Sequence, residues 1–95
     1  MMRVYISGKI TGEPLAAVRE KFEKAEVYLL AKGYHPVNPL KNGLAQESSW
    51  ESHMRTDIKI MMNCDGIHML SDWKFSSGAT IEKRLAEDLK FEFIE

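Results

Sequence analysis

Four short β-rich runs alternate with three stretches of helical period along these 95 residues, and this alternation limits the possible folds more than any other feature. Arg3 to Ser7 (RVYIS) reads as a strand closed by Gly8. Leu15, Val18, Phe22, Ala25 and Leu29 then recur at helical spacing, after Pro14 in a first-turn position and before a stop at Lys32-Gly33. Residues 34–38 (YHPVN) form a second short run, and Pro36 inside it marks a sheet edge. Ser48 or Ser49 caps a second helix over 50–63, with Trp50, Met54, Ile58, Met61 and Met62 as its apolar stripe. A third strand spans 65–70, a third helix 78–89, and KFEFIE forms a fourth strand. Strands alternating with helices in this way imply an α/β fold with a parallel sheet covered on both faces and right-handed crossovers.

In such sheets ligands bind beyond the carboxyl ends of the strands, near the point where strand order reverses. Three loops leave those ends, at 8–14, 39–49 and 71–77. The first, Gly8-Lys9-Ile10-Thr11-Gly12, lacks the Walker A and GxGxxG spacings. It reads either as a backbone cradle for phosphate or as a plain turn with glycines at awkward dihedrals. Asp57 falls on the flank of the second helix's stripe, as a shielded acid or as an edge acid bonded to a backbone amide. Glu82 follows the helix start Ser76-Ser77-Gly78 and falls inside an arc made by Gly78, Ile81, Leu85, Ala86 and Leu89. A carboxylate in an apolar arc needs a reason, because burying a charge is costly. Glu82 either pairs in solvent with Lys83 or Arg84, or faces a pocket as a nucleophile or general base. Trp73 and Phe75 either line a pocket or cover the sheet edge.

The stretch YISGKITG, the D-x7-D across Asp57 and Asp65, and the S-x-G-x-x-x-E across Ser76, Gly78 and Glu82 resemble the nucleoside 2-deoxyribosyltransferase superfamily. Within it the sequence is most similar to the small DUF4406 branch, whose members are often bacterial or phage-encoded. The resemblance implies a single domain over 1–95 with a three-layer flavodoxin/Rossmann-like parallel sheet of four strands, order 2-1-3-4, and three helices. It also implies an N-glycosidic bond hydrolase or transferase acting on (deoxy)nucleosides or their 5′-monophosphates. Glu82 matches the nucleophile that forms a covalent glycosyl ester, Asp57 the acid that assists, and Tyr5 and Gly8 the residues beside the sugar. Ser76 stands where the true transferases carry an acid that holds a free 5′-hydroxyl. With Gly8, Lys9, Ile10, Gly12 and Gly78 it points to a 5′-phosphate, which an acid would repel. Arg84 stands where the family has a small residue, and the chain ends at a fourth strand where superfamily members usually continue into a fifth. Both features set an alternative: a catalytically inactive nucleotide-binding or signalling module of the same fold.

Composition narrows the partners. With a net charge of −1 and no basic block, no nucleic-acid polymer is expected. No apolar run approaches the ~18 residues of a membrane span, and MMRVYISG is too short for a secretory signal. A lone Cys64 fits a reducing cytoplasm. His35, His53, His68 and Cys64 lack metal-ligand spacing, so neither metal nor cofactor is expected. The expected partners are a small nucleoside or nucleotide and a second copy of the chain in a homodimer, with the second helix, including Ile60, at the interface.

Overall fold

Strand β1 (Arg3–Ser7) is the spine of the computed structural model, which describes residues 1–95. Its side chains alternate between the two faces of the sheet, as any strand's must. Val4 and Ile6 point to one face, where they pack with Val18, Phe22, Ala25 and Leu29 of α1 (Leu15–Ala31). Tyr5 and Ser7 point to the other. Tyr5 packs there with Met61 of α2 (Trp50–Met61) and Ala86 of α3 (Ser77–Asp88), and Ser7 reaches Glu82. Residues 4 to 7 are all fully buried.

The sheet is parallel throughout and ordered β2-β1-β3-β4, with β2 at His35–Val37, β3 at Gly66–Met69 and β4 at Glu92–Phe93. β1 pairs Val4 with Pro36 on one side and Tyr5 with Ile67 on the other. Strand order therefore reverses between β1 and β3. Right-handed crossovers then require α1 on one face and α2 with α3 on the other, and the two cores show this arrangement. Pro36 lies in the edge strand, where its missing N–H costs no ladder bond on the outer side. No helix is long and apolar enough to cross a membrane.

Local chemistry sets the boundaries. Gly33 takes φ +88° after α1, a conformation that favours glycine. Ser49 Oγ accepts from the Ser52 N–H at 3.1 Å and starts α2. Ser76 caps α3, its Oγ accepting from the Ala79 N–H at 3.1 Å. Two short 3-10 turns, Pro39–Lys41 and Trp73–Phe75, lie within the loops expected at 39–49 and 71–77.

The buried faces of α2 and α3 are narrower than their apolar residues suggest. On α3 the covered residues are Gly78, Ala79, Glu82 and Ala86, whereas Ile81 and Leu89 are exposed. Small side chains let this helix lie close to the sheet, which leaves room for one row and puts Glu82 at its centre. On α2 only Asp57 and Met61 are buried, while Trp50 and Met62 are exposed. Ile60, off the main stripe, packs against the edge of the core.

Gly8 at the end of β1 has no room for a side chain. A Cβ there would lie 2.5 Å from Leu70 Cδ1 and 2.8 Å from Leu70 Cβ. Gly8→Ala is therefore expected to destabilise the protein by about 1–3 kcal/mol through overpacking. Urea unfolding measures it, and an unchanged midpoint would show that Leu70 yields freely.

Candidate functional site

Glu82 enters α3 on its second turn and projects back toward the carboxyl end of β1. Only 5% of it is exposed. The two residues of β1 that share its face meet it with hydroxyls. Tyr5 Oη donates to Oε2 at 2.7 Å, and Ser7 Oγ donates to Oε1 at 2.7 Å. Each oxygen thus has one donor and keeps a further lone pair. Burial pushes the Glu82 carboxyl up to about 7, with the two hydroxyls holding it down and the charge of Asp57 adding to the rise. Tyr5 is raised in turn, first by burial and then by the charge of Glu82. Arg84 is exposed and lies with Trp73 and Glu87 on the outside of α3, so Glu82 has no cationic partner.

Glu82 and Tyr5 open onto a cleft of about 580 Å³, within the usual range of small-molecule sites. It lies where strand order reverses, and all three expected loops or the helices they feed contribute to it. Gly8, Ile10 and Gly12 form one wall, and Ser76 and Gly78 another. Gly78 lets the start of α3 approach α2, since a Cβ there would stand 2.9 Å from Met54 Sδ. Asp57 lies across α2, buried, its Oδ1 accepting from Asn42 Nδ2 at 2.8 Å. Burial raises its pKa, against the amide of Asn42 and the nearby imidazole of His53. The acid bonded to a side-chain amide is thus neither exposed nor paired with a backbone N–H.

Lys9 does not line the cleft. Its backbone N–H donates to Asp72 Oδ1 at 3.1 Å and its carbonyl accepts from Lys21 Nζ at 2.7 Å. The cation that does line the cleft is Arg19, an exposed residue on the first turns of α1. Trp73 and Phe75 also lie away from it, and the large aromatic of the cleft is Trp50.

Lys21 holds the loops together. Its ammonium donates to the Lys9 carbonyl, to Glu13 Oε1 at 2.6 Å and to Asp72 Oδ2 at 2.6 Å. Burial pulls Lys21 down, but its bonds to Asp72 and Glu13 outweigh this and raise its pKa. Burial pushes Asp72 up, yet Lys21 and the Lys9 N–H bring it below its ordinary value. The loop after β1 is thereby tied to the loop after β3 from behind.

Ser7, Arg19, Lys21, Asn42 and His53 carry no motif of their own. Ser7 was accessible through the two-residue period of β1 once Tyr5 was singled out, and His53 through its place one turn before Asp57. No group of three His, Cys, Asp or Glu side chains is placed to hold a metal ion.

The raised pKa of Glu82 has a stability consequence. Between its ordinary value of 4.5 and about 7 the native state binds the proton more tightly than the unfolded chain does. Stability therefore falls as pH rises through this window. Glu82→Gln should flatten that slope, gaining on the order of 3 kcal/mol relative to wild type at pH above the window. Unfolding of both proteins at several pH values measures the difference, and parallel pH profiles would contradict it.

Residues 2–95 match the family model described as a domain of unknown function, DUF4406, and the chain belongs to that family. No curated protein matches it.

Proposed function

We propose that this DUF4406 protein cleaves the N-glycosidic bond of a nucleoside or nucleoside 5′-monophosphate, with Glu82 as nucleophile. One observation carries the reading: a carboxylate buried in the cleft, held on both oxygens by Tyr5 and Ser7, and unpaired with any cation. The resemblance of Ser76, Gly78 and Glu82 to the deoxyribosyltransferase motif supports it.

In this scheme ionised Glu82 attacks the anomeric carbon. The C1′–N bond breaks with its electron pair going to the base, and a glycosyl ester forms through an oxocarbenium-like state. Tyr5 and Ser7 fix the carboxylate's direction before attack, which lowers the cost of orienting it. Asp57, across the cleft and raised by burial, assists the departing base. Water or a second base then attacks C1′ as the C1′–O bond to Glu82 breaks, and the proton it loses balances the charge on the departed base, water giving a hydrolase and a second base a transferase.

The 5′-phosphate is the handle that the rim favours. Ser76 Oγ uses a lone pair on the Ala79 N–H and keeps its own proton to donate. The N-terminus of α3, the amides of the Gly8–Gly12 loop and Arg19 bring further positive character to that side. Arg19 takes the part that the sequence reading gave to Lys9.

Incubated with ribo- and 2′-deoxynucleosides and their 5′-monophosphates, the protein should release free base. Glu82→Gln should lower release by ~10³-fold or more. kcat/KM should climb with pH through about 7, as Glu82 ionises. Chromatography of the products decides. Binding without release between about pH 5 and 8 would leave a nucleotide-binding module in its place.

A further inference from the structure

The α2 side of the cleft carries a second polar device, centred on Asn42. Its Oδ1 accepts from the Leu44 N–H at 3.0 Å, which fixes which end of the amide is oxygen. Nδ2 therefore faces α2, where it donates to Asp57 Oδ1 at 2.8 Å and lies 3.1 Å from His53 Nδ1. An amide nitrogen has only protons to offer, so His53 Nδ1 must be the acceptor of that contact. The neutral ring then carries its proton on Nε2. His53 lines the cleft, and Nε2 has no partner within the protein. Asp57 Oδ2 likewise has none, and since no buried side-chain polar atom is left unpaired, it reaches the cleft. One turn of helix thus presents an N–H donor beside a carboxyl oxygen.

We propose that His53 Nε2–H donates to N7 of a purine leaving base, with Asn42 as the positioning residue that sets the tautomer. This deepens, and rests on, the glycosidic reading of the cleft. The purine edge that stays free in an N9-linked nucleoside carries an acceptor at N7 beside an exocyclic group at C6. That pair matches the His53 donor and its Asp57 neighbour, whose free oxygen accepts from a 6-amino group when ionised and donates to a 6-oxo group when protonated. As the C1′–N9 bond breaks, its electron pair passes into the five-membered ring and charge grows on N7. A donor fixed in place beforehand stabilises that charge more in the transition state than in the bound substrate. The bond to His53 strengthens without a proton having to cross.

A matched pair of substrates tests this. 2′-Deoxyguanosine 5′-monophosphate has a lone pair at N7. Its N7-methyl derivative has none and departs as a neutral base. In single-turnover base release, His53→Phe should slow the first by about a hundredfold and the second by less than about threefold. His53→Gln, which retains an N–H donor, should recover part of the loss. Asn42→Ala should reproduce the selective pattern more weakly. Equal slowing on both substrates would make His53 a structural residue and overturn the proposal, as would unchanged rates or release confined to pyrimidine nucleotides. In each of those cases base release still depends on Glu82, so the glycosidic reading stands. If wild type releases no base from any nucleotide, both fall.

Discussion

The structure depends on keeping one carboxylate dry. A buried carboxylate without partners would take a proton or force the chain open. Here Tyr5 and Ser7 come from one strand, two residues apart, so the sheet itself delivers both donors to one face. The small residues of α3 then set the distance: Gly78, Ala79 and Ala86 let the helix settle close enough for Glu82 to reach them. The result is a group that is neither comfortably ionised nor fully neutral near physiological pH. Such groups belong to sites more often than to scaffolds.

The cleft in front of it is held from two sides by polar anchors, Lys21 behind its wall and Asn42 in its lining. Lys21 satisfies three acceptors and ties the loop after β1 to Asp72. Asn42 uses its amide on Leu44, Asp57 and His53, tying the loop after β2 to α2. Loops this short of apolar cover would otherwise be the most mobile parts of the chain. Their anchoring lets a domain of 95 residues hold a preformed cavity despite a small core.

Much of this was legible in the sequence, for reasons that differ by residue. The alternation of short strands with helices specifies a parallel two-faced sheet, and the order 2-1-3-4 that the resemblance implied is the one observed. The awkward position of Glu82 inside an apolar arc marked it before any contact was known. The arc itself was drawn too wide, because a helix wheel cannot show that Ile81 and Leu89 lie beyond the sheet's reach. Lys9 carried the expected charge, yet the turn spends its backbone on Asp72 and leaves Arg19, a residue in no motif, at the rim. Asn42 was invisible for a related reason, and His53 was accessible only through its place one turn before Asp57. Their meaning lies in hydrogen bonds that span residues 42 to 57, and polar loop residues carry no period to reveal them.

The central claim is that Glu82 bonds to the sugar, and intact-protein mass spectrometry tests it most directly. A 2′-fluoro-arabinonucleoside 5′-monophosphate is the probe, since fluorine at C2′ slows the breakdown of a glycosyl ester. The account predicts a mass gain equal to one fluorosugar phosphate, lost in Glu82→Gln and mapped by digestion to the peptide that contains Glu82. Base release without any adduct, or an adduct on another residue, would contradict it.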